Sequence, residues 1–169
     1  MNINGIEIKA GVDLKGIDLS DTDLRGIDFF GVDLSGANLK NTNLSGTNLI
    51  GVNFSHADLT RADFTLSDLT NADFSYTNLK KVNYSGANLF RANFTGANLF
   101  RAKFTGAICM KAVFIEADLT NAYLREADFT GADFRWADLT DADLIEANLT
   151  EVKLSQTKLL AEQYLLTIH

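Results

Sequence analysis

Residues able to do chemistry are few and scattered in this chain. There are two histidines, His56 and His169, and one cysteine, Cys109. No Cys/His cluster has the spacing of zinc ligands. The glycines recur at fifth positions, which differs from a G-x-G-x-x-G phosphate loop. Serines and threonines form a ladder with no base beside them, so nothing activates a nucleophile. Triplets such as Asn43-Leu44-Ser45 have the form of glycosylation acceptors, but they fall out of a periodic pattern and carry no signal. The many aspartates suggest calcium. They alternate freely with asparagine in one slot, however, as expected of side-chain oxygens that accept turn hydrogen bonds. A single cysteine forbids an internal disulfide, and Cys109 sits where the pattern demands a buried apolar residue rather than a reactive thiol. The expectation is a protein that is not an enzyme, with no catalytic residue, no metal site and no cofactor.

The pattern that absorbs these residues has a period of five. From Leu14 to Leu159 every fifth residue is a centre, thirty in all; nineteen are Leu, nine are Phe, and the exceptions are Tyr84 and Cys109. Two residues earlier stands a small or β-branched residue, most often Ala. The slot between holds Asp or Asn in twenty-four of thirty repeats. Ser or Thr often follows the centre, and then often Gly, as at Gly26, Gly36, Gly86 and Gly131. Five residues leave a helix face by ~140°, and a continuous strand would swap faces at every repeat. Each pentad must therefore contain its own turn. The small residue and the centre point inward together, the Asp/Asn points outward, and the last two residues bend the chain. Phe54, Phe74, Phe94, Phe114 and Phe134 are twenty apart, and Leu19 through Leu159 form a second column at that spacing. Twenty residues per turn gives four sides. Seven and a half turns at ~4.8 Å make a rod of roughly 36 Å.

Segments such as Ala37-Asn38-Leu39, Ala87-Asn88-Leu89 and Ala132-Asp133-Phe134 resemble the motif A-(D/N)-L-x-x of the pentapeptide-repeat family. The resemblance runs from 12 to 161 without an insertion. It implies an all-β fold, a right-handed quadrilateral β-helix of about 7.5 coils of 20 residues; the handedness comes from the resemblance alone. Three segments follow: an N-terminal cap over 1–11, the β-helix over 12–159, and a short α-helical cap over 160–169. The last is suggested by the helix formers of Leu-Ala-Glu-Gln-Tyr-Leu-Leu-Thr-Ile. Both caps answer the same need, since a bare coil end is an open sheet edge.

The chain has 169 residues, no proline, and a net charge of −7. No apolar run is long enough to span a bilayer, and the Met1-Asn2-Ile3-Asn4 start shows no signal-peptide pattern. A cytoplasmic location is expected; a mature periplasmic or thylakoid-lumen form remains open.

Where the repeat explains the typical residue, the exceptions carry the information. The Asp/Asn slot fails at Lys103, Ile108, Val113, Tyr123, Lys153 and Lys158. The first four fall within about one coil, together with Met110 and Ile115, and Phe90 lies twenty residues before Met110. Phe90, Ile108, Met110, Val113, Ile115 and Tyr123 are candidate protein-contact residues; simple drift is the alternative. Charge is also uneven. Residues 1–60 carry eight acids and four bases, 61–115 three and seven, and 116–152 ten and two. Arg61, Lys81 and Arg101 share one column, with Lys80 and Phe100 beside them. These five form a candidate basic face for an acidic partner, or a solvated charge ladder. The acidic balance and the short patch disfavour nucleic acid.

A non-catalytic protein-binding or scaffold module, monomeric or homodimeric, is the leading expectation. Its partner would be another protein, and no membrane is implied. The resemblance is compatible: the family is widespread in bacteria, photosynthetic ones especially, and most members have no assigned role. It also implies an alternative. Some members are acidic rods that mimic duplex DNA, bind DNA gyrase and protect it from quinolones. The basic belt and the absence of loop insertions count against that here.

Overall fold

The computed structural model describes residues 12–160, and the backbone of two short strands, β1 (Asn2–Ile3) and β2 (Ile6–Glu7), which pair antiparallel with Asn2 opposite Glu7. The expected α-helix over 160–169 lies outside the described residues except for Leu160, and so does most of the expected cap over 1–11.

Over residues 12–159 the chain is a repeat β-helix. Each outward Asp/Asn slot forms a parallel bridge with the residue twenty positions on, from Asp13↔Asp33 to Asp138↔Lys158. The centre amide donates to the carbonyl of that partner, as Leu39 N–H does to Asp58 O at 2.8 Å. Between bridges the chain turns every five residues. Ala87 N–H, for example, donates back to Tyr84 O at 2.9 Å, closing a four-residue turn. The third residue of each such turn has positive φ, without exception from Gly16 to Gln156; ten are glycine and nineteen are not. Positive φ at that position is the signature of a type II turn. Four turns separate a residue from its bridge partner, so each coil has four sides. The first side carries the centre Phe94, the second Leu99, the third Phe104 and the fourth Cys109, and each side extends through residues twenty apart.

The reason for Asp or Asn in the slot is visible in the hydrogen bonds. The slot oxygen accepts the N–H two residues on: Thr130 N–H donates to Asp128 Oδ1 at 2.9 Å, and Ser85 N–H donates to Asn83 Oδ1 at 3.1 Å. The following hydroxyl often donates to the same oxygen, as Thr120 does to Asp118 at 2.7 Å. Acid and amide perform the same local task, so either fits.

The core is the stack of inward residues. Phe54, Phe74, Phe94, Phe114 and Phe134 lie face to face with centroids 4.8–5.0 Å apart, the spacing of neighbouring strands. Phe64, Tyr84 and Phe104 meet them edge-on at 5.6–6.0 Å, the offset geometry aromatic quadrupoles prefer. Tyr84 and Cys109, the two breaks in the Leu/Phe column, are both fully buried. The Tyr84 hydroxyl has no hydrogen-bond partner. Burial, and to a smaller degree the Cys109 sulfur, push the Tyr84 phenol well above its ordinary pKa; burial does the same to the Cys109 thiol. Cys109 is therefore a thiol rather than a thiolate, and poorly nucleophilic.

Candidate functional site

The regular lattice decides which candidates meet. Phe90, Ile108 and Met110 share the fourth side: Ile108 bridges Asn88, and Arg91 N–H donates to Met110 O one coil away at 3.0 Å. Val113 and Ile115 fall on the first side, around the next corner, and Tyr123 falls on the third. The six candidates therefore wrap around the rod, and three of them form a compact group. Ile108 and Tyr123 are exposed; the other four are half-buried.

The fourth side has a further property. The position after its centre reads Phe30, Ile50, Thr70, Phe90, Met110, Thr130 and Thr150 at successive coils. On the first and third sides that position is mostly Ser or Thr. Phe30 is 52% exposed. Phe30 and Ile50 are a second apolar pair on the same column, nearer the N-terminal end and separated from Phe90 by Thr70. The signal was present in the sequence as a twenty-residue spacing, one position off the column that draws the eye.

The basic candidates do converge. Arg61, Lys81 and Arg101 are exposed and stacked on the second corner, between the second and third sides, each with positive φ near 60° (61, 60 and 57°). Lys80 and Phe100 precede two of them on the second side, and the Arg101 guanidinium lies over the Phe100 ring, 5.3 Å from its centroid. Around the corner, Lys103 bridges Tyr123 on the third side. Arg61, Lys81, Arg101, Lys103 and Tyr123 together line a shallow groove of about 380 Å³. Lys103 and Tyr123 thus belong with the basic face. Their place two residues beyond a corner column, one coil apart, is what assigns them there. Arg91 and Lys111 lie on the diagonally opposite corner, with Arg91 5.0 Å from the Phe90 ring centroid.

Electrostatics separates these cations from the rest. Lys15, Lys40, Arg25, Arg125, Arg135, Lys153 and Lys158 each pair with an aspartate. Among the described residues, Arg61, Lys80, Lys81, Arg91, Arg101, Lys103 and Lys111 make no ion pair. Between Asp73 and Glu116 the chain has no acid and six bases. Position by position the cause is simple. Lys40 reaches Asp58, eighteen residues on, at 3.1 Å; Lys80 occupies the equivalent place and finds Asn98. At the C-terminal end the pairing is dense. Burial works to raise the pKa of Asp133, but hydrogen bonds from Arg135 and the charges of Arg135 and Lys153 outweigh it and leave the carboxyl below its ordinary value.

With the coil and its surfaces described, the relatives can be placed. Pentapeptide repeats match in eight copies over residues 27–65, 67–106, 107–144 and 133–159, and the chain belongs to the pentapeptide-repeat family. Two solved structures of trypsin-treated variants of QnrB1, a plasmid-mediated fluoroquinolone resistance protein, share the fold. One is 22% identical with a TM-score of 0.63, covering 94% of each chain. The other is 21% identical with a TM-score of 0.59, covering 94% of this chain and 95% of that one. HetL, a pentapeptide-repeat protein involved in heterocyst differentiation regulation in the cyanobacterium Nostoc sp. strain PCC 7120, is 25% identical over 94% of this chain and 95% of its own, with a TM-score of 0.41. No curated protein matches the chain.

Proposed function

We propose that the chain is a non-catalytic protein-binding module that docks a partner on the fourth side of the rod, through Phe90, Ile108 and Met110, with Phe30 and Ile50 further along the same column beyond Thr70. One observation carries this: four of the seven residues after the centre on the fourth side are apolar, where the first and third sides mostly carry Ser or Thr. Exposed apolar groups of this kind mark contact surfaces, and a solenoid presents them in a straight line over several coils. A rod of about 7.5 coils, right-handed by inference from the family, capped by a helix over 160–169 by its helix-forming residues and working in the cytoplasm for want of a signal-peptide pattern at Met1-Asn2-Ile3-Asn4, completes the proposal. The test compares capture from host extract by wild type and by a variant carrying Ile108→Asp with Met110→Ser. Loss of a specific partner is the expected result; identical capture refutes the docking side.

The likeness to QnrB1 motivates a second reading, a duplex mimic that binds DNA gyrase. The unpaired cations at mid-rod stand against it, because they interrupt the negative surface such a mimic presents. A gyrase supercoiling assay with and without a quinolone tests it; no effect at micromolar protein removes it.

A further inference from the structure

We propose that the second corner binds a compact oligophosphate lying along the rod over Arg61, Lys81 and Arg101, with Lys103 and Tyr123 forming one flank. This site is separate from the fourth side, so either can fail alone.

The corner column reads Asp21, Asn41, Arg61, Lys81, Arg101, Asn121, Asp141 at successive coils. It is the one corner of the four with no glycine among its described members. Every one of these residues holds a left-handed φ, between 54 and 61°, a conformation that costs a side-chain-bearing residue ~1–2 kcal/mol relative to its normal helical region and costs glycine little. Glycine takes that place at some coils of each of the other corners, alongside side-chain-bearing residues such as His56, Leu66, Arg91 and Lys111. Here three consecutive coils carry long cations, stacked at ~4.8 Å, where they repel one another across water and none makes an ion pair with a described acid. A bound anion would offset that repulsion.

The same column limits the anion's length. Amides replace the cations at Asn41 and Asn121, and acids follow at Asp21 and Asp141, each three coils or about 14 Å from Lys81. A long polyanion such as a nucleic acid strand would run into these carboxylates. An extended acidic peptide presents carboxylates on one face only every ~6.8 Å, fewer than the four cations of the groove call for. An oligophosphate carries its charges closer together, and guanidinium forks fit its oxygens two at a time. The Tyr123 ring, 47% exposed, offers a flat wall against which a nucleobase could stack. The phosphate chain could therefore be free or part of a nucleoside triphosphate.

Titration calorimetry with inorganic triphosphate, a nucleoside triphosphate and a glutamate-rich peptide tests this. Wild type should bind triphosphate, more weakly as salt rises. Arg101→Asn with Lys103→Gln should lower that affinity about tenfold or more, the scale of a lost charge-assisted contact. Asn already holds the corner conformation at Asn41 and Asn121, so the variant should keep its circular dichroism and melting temperature. Lys111→Asn, on the opposite corner, should bind as wild type does. Tyr123→Ala weakening only the nucleotide assigns the nucleoside form; an equal effect on both assigns the free chain. No binding of either phosphate, an equal loss in Lys111→Asn, or tighter binding of the peptide overturns the proposal.

Discussion

The middle of the rod and its two ends are built from the same coil, yet they treat charge in opposite ways. At the ends cations sit beside aspartates: Arg25 with Asp23, Arg125 with Asp143, Arg135 with Asp133. At mid-rod the slot holds Asn78, Asn83, Asn88, Asn93 and Asn98, then Lys103, Ile108 and Val113, and the cations stand alone. Asp and Asn offer the turn the same side-chain oxygen, so replacing one with the other leaves the backbone intact while removing the counter-charge. The lesson is that the scaffold leaves outward charge free to vary, and the middle is where cations lose their acidic partners.

The largest effect should come from the shared core. Phe94→Ala removes a ring stacked between Phe74 and Phe114 and should cost ~3–5 kcal/mol by denaturant titration. Leu144→Ala, nearer the end of the described coils and 4% exposed, should cost ~2–3 kcal/mol, at the low side of its class, because fewer coils press on it. Equal losses would mean that the two regions are not distinguished by packing.

Next comes the one irregular layer of the mid-rod core. Cys109→Leu should destabilise by ~1–3 kcal/mol if the shorter cysteine makes room for the Tyr84 ring and hydroxyl. Tyr84→Phe removes a buried hydroxyl without a partner and should be neutral or stabilising by ~1 kcal/mol. In the double variant the two changes should couple, recovering part of the Cys109→Leu loss; simple additivity in thermal unfolding would sever the link between the two breaks.

Acid should act on the ends first. The Asp133 carboxyl is held below its ordinary pKa, so its contribution is present above the unfolded value of ~3.9 and is lost as pH falls through the lower folded value. Asp133→Asn should therefore flatten the fall in melting temperature on acidification below about pH 4. An unchanged acid limb would show that this carboxyl contributes nothing there.

The smallest effect is the most direct comparison of the two regions. Asn98→Asp gives Lys80 the partner that Asp58 gives Lys40. Exposed pairs are worth ~0–1 kcal/mol, so stability should barely change. If the groove binds triphosphate, the added charge should weaken that binding.

Most of the fold was legible because a period of five leaves few geometries. Burial of the centres follows from it, and the twenty-residue columns of Phe and Leu anticipate the pairing seen in the bridges. The surface was only partly legible. Neighbours in sequence are spread around four sides, so Val113 and Tyr123, which adjoin Ile108 in the list of exceptions, lie on other sides of the rod. Neighbours in space are twenty residues apart, or eighteen for the pair Lys40 and Asp58. Phe30, Ile50 and the groove position of Lys103 were therefore visible only to someone reading down columns. The ion pairs were out of reach for a different reason: they depend on how far each long side chain extends.

A single residue position separates the middle from the end most directly. Met110 and Thr150 occupy the same place on the fourth side, two coils apart. A photoreactive amino acid placed at each in turn, in the native host, reports what touches that point of the rod. A docking side at mid-rod predicts a specific crosslinked protein from position 110 and none from position 150. A crosslink from 150 alone, the same product from both, or none from 110 would contradict it.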